Sequence, residues 1–553
     1  MHPASSPPRV ALMGLPTWVS PMHSPNAISG AQVAATQCIT ATLRYGSYSS
    51  YDVFVPSDHP ADLETFRAAL NRHHVDIDRV RMVPHSRVVE TLHTNAYHVI
   101  LDTGKPFLDQ LYGLVSSAAN TPTPCACLHH SLSYSGFLPH LIAMQHADLP
   151  PYASLLCSST DARTVVTRLF DHIDRLYSNG TNKPSGRTLR TDVVPLGQYT
   201  EDFVPRMSRA RARTTLGFPL RDIEILYVGR LTPYDKADLD ILLRTVATLT
   251  SEDKMQIHVV LAGADNNGYG AHLEKRAQTL SISRDVHIIP NPPEVIKRML
   301  LWSADIFVSP ADSVQESFGL AVVEAMAAGL PVIASDWGGY RDIVVDGVTG
   351  KLVPTAWGNY LHSISIRSEM GLFNADHFAL SQGVVLDEDA LVHSVRLLAG
   401  NRDLRRMMGE RGRARAQALY DWKAVIGQQE DLWAELFTIA SSHSDTQHAP
   451  RFPFWDAFSQ YPSRHIASTD WVKLRRPDFL PTPPVDVQNQ VGQAWFTRLF
   501  AILDKGPVPL AKVSQTEAHM RALLWLAKCG AVSISSSANS LGMLPAASVA
   551  QDE

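Results

Sequence analysis

Two carboxylates stand in an otherwise apolar run, Glu316-Ser317-Phe318-Gly319-Leu320-Ala321-Val322-Val323-Glu324-Ala325-Met326, with seven residues between them. A carboxylate in such surroundings is costly unless a polar or cationic group meets it. The run follows a strand-like segment, 306–309, and opens a helical pattern at Leu320. Phe318, Gly319 and Leu320 therefore sit where a helix begins, and the unpaired amides of a helix start form an anion site. Two cations lie earlier in the chain. Gly229-Arg230 directly follows the strand-like segment 223–228, and Lys236 lies six positions after Arg230. A glycine there lets the backbone approach a ligand closely. An arginine fork beside a lysine point charge suits a diphosphate.

Each of these features has a plain structural explanation when taken alone. Arg230 and Lys236 could belong to an ordinary basic loop. Glu316 could be an acid that complements a helix dipole, and Glu324 a buried acid paired with an arginine. None of these explanations accounts for the acids, the cations and the helix start falling together at strand ends.

The elements that must position them form two series. Short apolar runs at 9–13, 51–55, 80–83, 98–101, 125–128, 155–157 and 191–194 alternate with helical patterns such as 31–43, 62–72 and 162–176. The pattern then restarts, with strands expected at 223–228, 257–262, 286–289, 306–308 and 331–334 and helices at 239–249, 272–280, 295–302 and 320–328. Strand–helix alternation implies a parallel sheet covered on both faces. Two such units imply an α/β protein with two Rossmann-like doubly wound domains facing each other across a cleft, with ligands at the carboxyl ends of the strands. The join is expected near Pro195-Leu196-Gly197, giving domains at 1–198 and 199–440 and an extension at 441–553.

Within this frame the motifs resemble those of the family-4 glycosyltransferases. The resemblance rests on Gly229-Arg230 and Lys236, on the Glu316 run continued through Ala327-Ala328-Gly329-Leu330-Pro331-Val332-Ile333-Ala334, on Asp336-Trp337-Gly338-Gly339, and on Asp346-Gly347-Val348-Thr349-Gly350. It is strong from about residue 223 to 354 and extends more weakly to the 422 helix. It implies the GT-B fold, a retaining transfer from a nucleotide-diphosphate sugar, and no metal or other cofactor. Residue by residue, it implies that Arg230 and Lys236 bind the donor diphosphate and that Glu324 holds the ribose hydroxyls. Glu316 would contact the donor sugar, and Ser317 with the amides of Phe318, Gly319 and Leu320 would contact sugar and phosphate. Two cations and a helix dipole can stabilise a leaving diphosphate without a metal ion. In the first half, His129, or its neighbour His130, resembles the strand-end histidine that faces the donor sugar. Gly30, in Ser29-Gly30-Ala31, falls where the family has a glycine-rich turn, with only one glycine here. Cys157-Ser158-Ser159 fits a later strand end of the same domain.

Composition narrows the field further. The chain has 553 residues, 45% hydrophobic and 19% charged, with net charge -5, a globular profile that calls for neither nucleic acid nor an anionic membrane. Five cysteines without metal or redox spacing suggest a reducing, cytoplasmic setting. No apolar run reaches the roughly 18 residues of a membrane span. The N-terminal stretch 10–19 is broken by Gly14 and Pro16 and lacks a basic lead, so no signal peptide is expected.

The later segments are less specific. Residues 357–384 look like an insertion. Residues 387–418 read as helical, with a basic, solvated face formed by Arg402, Arg405, Arg406, Arg411, Arg413 and Arg415. Beyond a Ser/His-rich linker at 441–450, the aromatic and proline-rich extension could wrap the N-terminal domain, bind a partner or recognise an acceptor. The helical pattern at 516–528 reads as packed, and the tail from 535 as disordered. The acceptor is not specified. Two other functions share the same cleft, a GT-B nucleotide-sugar epimerase and a non-catalytic nucleotide-sugar-binding scaffold. Nucleotide release that requires an acceptor separates the transferase from the epimerase. A donor that binds without ever turning over marks the scaffold.

Overall fold

Seven short apolar strands align in parallel to form the first sheet of the computed structural model, which describes residues 9–14, 30–55, 57–129, 132–147, 149–177, 189–358, 362–368, 370, 373–444, 457–475 and 482–537. They are β1 (Arg9–Met13), β2 (Ser50–Val55), β3 (Val80–Pro84), β4 (Val99–Asp102), β5 (Cys125–Leu128), β6 (Ala153–Cys157) and β7 (Thr191–Val193). Their order is β3-β2-β1-β4-β5-β6-β7. β5 and β6 are buried along their whole length, as expected of strands covered on both faces, which is why they lack polar alternation.

The second sheet contains β8 (Ile223–Val228), β9 (Ile257–Gly263), β10 (Val286–Pro290), β11 (Ile306–Ser309), β12 (Val332–Ser335) and β13 (Gly350–Val353). Its order is β10-β9-β8-β11-β12-β13, all parallel. The strand order reverses between β8 and β11, the place where open α/β sheets bind ligands. Arg230 follows β8 and Glu316 follows β11, so the reversal sets the two candidate motifs side by side. β13 was not expected as a strand. Its sequence, Gly-Lys-Leu-Val, carries too little apolar character to stand out, and pairing with β12 supplies what periodicity does not.

Three later segments take forms that the sequence left open or read otherwise. Residues 387–418 form two helices, Glu388–Gly400 and Arg402–Leu419, because Asn401 is extended and caps the second one through its side chain. The arginine face is not simply solvated. Arg413 donates to the carbonyls of Ala327 and Ala328 at 3.1 and 2.7 Å, and Arg415 to those of Ile343 and Asp342 at 2.9 and 2.7 Å. Cations are thus placed where a helix leaves carbonyls unpaired. The last helix of the second series, Trp422–Ser441, crosses back and packs Trp422, Ile426, Trp433 and Leu436 into the core of the first domain. The insertion forms an antiparallel pair, β14 (Thr355–Trp357) and β15 (Val384–Leu386), with helices His362–Ser368 and Phe373–Ser381 between the strands.

The extension builds a core of its own around Val472, Trp495, Phe496, Leu499, Leu523 and Leu526. A three-stranded sheet, β16 (Trp471–Leu474), β17 (Val508–Pro509) and β18 (Val532–Ser535), lies against the helices, including Glu517–Lys528. It meets the first domain where Arg87 donates to the Asn489 carbonyl and Gln490 to that of Ser86, both at 3.3 Å. The disorder expected for the tail falls, beyond residue 537, outside the described residues. No helix among the described residues is long and apolar enough to cross a membrane.

Candidate functional site

The site grows from the two strand ends at the reversal. After β8 the chain turns at Gly229 and presents Arg230, whose carbonyl accepts from the buried Tyr227 hydroxyl at 3.1 Å. The Arg230 guanidinium pairs with Asp235 and reaches Gln315 Oε1 at 3.4 Å. Lys236 pairs with Glu316, joining the two motifs that the sequence separates by 80 positions. The two side chains are only 16% and 10% exposed. Tyr340 donates to Glu316 Oε2 at 3.3 Å and shares a 2.7 Å hydrogen bond with Ser309 Oγ.

The turn that carries Glu316 is held from behind. Gly319 takes φ +131°, a region glycine tolerates and other residues rarely adopt, and a Cβ there would press into the Tyr340 ring. Gly339, in the loop after β12, lies so close that its Cβ would fall 2.6 Å from the Phe318 nitrogen. The helix Leu320–Ala327 begins without a side-chain cap. Among the described residues no backbone oxygen accepts from the amides of Phe318, Gly319 or Leu320, so these donors remain available to an anion.

Glu324 lies apart from the Glu316 pair. It is buried, and Lys297 Nζ at 3.0 Å and Gln198 Nε2 at 3.4 Å both donate to its Oε1. Its partner is thus a lysine and a glutamine rather than an arginine. Burial raises the Glu324 carboxyl further than Lys297 lowers it. Burial alone would lower the Lys297 ammonium, but Glu324 and Glu294 more than offset it and hold it above its usual value.

The first domain closes on the same turn. His129 follows β5 and is 1% exposed. Its Nε2 accepts from the Ser158 amide at 3.0 Å, and the Ser158 hydroxyl donates to the Ser317 carbonyl at 3.2 Å. Asp342 accepts from the Thr160 amide at 2.6 Å, Arg341 pairs with Asp161 at 3.1 Å, and Tyr134 bonds Gln315. A cavity of about 260 Å³ opens beside Arg230, lined by Thr232, Tyr234, Asp235, Asn266 and Asn267.

The structure therefore brings together Gly229, Arg230, Lys236, Glu316, Ser317, Phe318, Gly319 and Leu320, with His129 one residue removed through Ser158. Gly30 opens the helix Gly30–Tyr45, and the residues before it, 15–29, lie outside the described residues, as does His130. The sequence reading missed Asp235, Gln198, Lys297, Gln315 and Tyr340. Asp235, Gln315 and Tyr340 each stand next to a motif residue, Lys236, Glu316 and Gly339. Gln198 and Lys297 are brought in by the fold from separate elements.

Known proteins resemble this chain over part of its sequence and in its fold. Residues 208–364 match the family described as Glycosyl transferases group 1. A D-inositol 3-phosphate glycosyltransferase of Corynebacterium jeikeium is 37% identical over 202 residues, covering 34% of this chain and 47% of its own. One from Corynebacterium aurimucosum is 32% identical over 294 residues, covering 51% of this chain and 61% of its own. The chain thus spans about half the length of the curated relatives it matches. Among solved structures, a Rickettsia africae glycosyltransferase aligns with TM-score 0.53 and 13% identity over 78% of this chain and 99% of that one. Anabaena HepE, solved with UDP and glucose, aligns with TM-score 0.52 and 16% identity over 77% of this chain and 99% of that one. The chain has the GT-B fold, and the group 1 family match falls on the part of it that carries Arg230, Lys236, Glu316 and Glu324.

Proposed function

We propose that this protein transfers a sugar from a nucleoside-diphosphate sugar to an acceptor hydroxyl, with retention at the anomeric carbon and without a metal ion. One arrangement carries the reading. Arg230, Lys236 and a helix start with free amides converge at the strand-order reversal, with one acid, Glu316, beside them and a second, Glu324, about one turn along the helix. A diphosphate would exchange with Asp235 at Arg230 and with Glu316 at Lys236. That exchange releases Glu316 to accept from a sugar hydroxyl. Glu324 accepts from the ribose hydroxyls, and His129 approaches the sugar from the first domain.

In the reaction the bond between the anomeric carbon and the phosphate oxygen breaks, and the acceptor oxygen bonds to that carbon on the same face. Its proton passes to the departing phosphate. Arg230, Lys236 and the amides stabilise the charge that develops there, which is the contribution expected of preorganised donors. The acceptor comes from the side of the first domain. The free cysteines, among them the buried Cys38, Cys125, Cys127 and Cys157, suit a cytoplasmic, reducing setting.

Thermal shift with UDP-, GDP- and ADP-sugars tests the reading, and UDP-glucose is the first arm because HepE was also solved with it. A donor at one hundred times its Kd should add about 2.7 kcal/mol of stability. Release of nucleotide that depends on added acceptor then identifies transfer rather than epimerisation. No shift with any of the three donor classes contradicts the proposal.

A further inference from the structure

We infer that Lys297 and Gln198 are positioning residues that commit one oxygen of Glu324 to the protein and leave the other to select a ribose diol. This inference rests on the donor reading above. Both donors meet the same atom, Oε1, at 3.0 and 3.4 Å. Among the described residues none bonds Oε2. A carboxylate held in this way cannot rotate to offer either oxygen, so its remaining lone pairs point in one direction, and two neighbouring hydroxyls can share them.

Both positioning groups are themselves fixed. Lys297 Nζ lies 3.4 Å from Glu294 and 5.7 Å from the centre of the Phe203 ring. Arg298, the other cation near Glu324, is turned to Asp202 at 3.2 Å. Gln198 is 2% exposed and belongs to the first crossing between the domains. Its amide donates to the Tyr420 carbonyl at 2.8 Å, and its carbonyl accepts from the Trp422 amide at 3.0 Å. Tyr420 and Trp422 lie on the second crossing. The side chain that touches the ribose acid therefore sits where both crossings meet, and its position follows the angle between the domains.

The inference predicts that the protein separates ribonucleotides from deoxynucleotides through these two residues. The experiment titrates UDP and 2′,3′-dideoxy-UDP, with the GDP and ADP pairs alongside, into the wild-type chain and into Lys297→Met and Gln198→Leu. The wild type should prefer the ribonucleotide by about tenfold or more, the worth of one hydrogen bond to a charged group. Lys297→Met should bind both forms within about twofold of each other, because an untethered carboxylate no longer favours the diol. Gln198→Leu should lose part of the preference, and Lys297→Arg should restore part of it. A purely structural role predicts something different, a lower melting temperature and weaker binding of both forms by one common factor. An unchanged preference in both Lys297→Met and Gln198→Leu overturns the inference and leaves the donor reading intact. If Lys297→Met does not fold, Gln198→Leu decides by the same ratio. A wild type that binds none of UDP, GDP and ADP removes the donor reading and this inference together.

Discussion

Replacing Lys236 with methionine should reduce stability and turnover by separate routes, and a second substitution should part them. Lys236 and Glu316 form an ion pair whose side chains are 16% and 10% exposed. Without the lysine, Glu316 keeps, among the described residues, the Tyr340 hydroxyl at 3.3 Å. Breaking a buried pair from one side costs about 3–5 kcal/mol, because the remaining charge stays desolvated. The residual exposure and the surviving tyrosine bond place this case near the lower end, about 3 kcal/mol. At roughly 2–4 °C per kcal/mol for a domain of this size, the melting temperature should fall by about 6–12 °C. Lys236→Met with Glu316→Gln removes the stranded charge and should return to within about 1 kcal/mol of the wild type. Turnover should not return, since both variants lack a cation for the leaving diphosphate, and each should be slower by about 10²–10³. Urea denaturation read as a double-mutant cycle gives the coupling, and steady-state transfer gives the rates. Equal stability of the single and double variants would refute the claim that the pair offsets a buried charge. Recovery of turnover in the double variant would refute the role given to Lys236.

Arg230→Ala should behave differently, because its pair with Asp235 is 43% exposed on the arginine side and such pairs contribute at most about 1 kcal/mol. Its melting temperature should hardly move while kcat/KM falls by at least about a hundredfold, and near wild-type transfer would remove Arg230 from the donor site. Gly339→Ala would press a methyl group against the Phe318 nitrogen and should cost about 1–3 kcal/mol by overpacking, with weaker donor binding as the amides shift. A variant that matches the wild type in both urea midpoint and donor Kd would show that this contact does not set the turn. Burial, with Asp238 adding to it, raises the Asp312 carboxyl from 3.8 to about 7. The folded chain therefore holds that proton more tightly than the unfolded one, and stability falls as pH rises from about 4 to about 7. Asp312→Asn cannot ionise and should gain on the wild type across that window, and parallel melting curves from about pH 4 to about pH 8 would exclude the effect.

Much of the site could be read from sequence because its residues are local to strand ends. β8 and β11 are buried on both faces, so each is a mostly apolar run, and Arg230 follows β8 at the second position and Glu316 follows β11 at the seventh. Their closeness follows from topology, since the strand order reverses between those two strands. The arginine-rich segment shows where such reading stops. Its composition is that of a solvated face, yet Arg413 caps the helix that carries Glu324, and Arg415 caps the short helix Tyr340–Ile343. A charge count does not tell whether carbonyl groups or water lie opposite. The same holds for Trp422–Ser441, whose apolar stripe fits either domain and packs on the first.

The sequence by itself determined two doubly wound units, the strand ends that bear Gly229, Arg230, Lys236 and the Glu316 run, and the helix start at Phe318. These follow from short-range patterning, which burial and backbone geometry write directly into residue types. Only the tertiary structure decided the partners. Lys236 meets Glu316, Lys297 and Gln198 share one oxygen of Glu324, and Ser158 carries His129 to Ser317 across the cleft. Each of these contacts joins residues tens of positions apart. A buried carboxylate must find some partner, but which cation arrives depends on how the elements pack, and no local pattern encodes that.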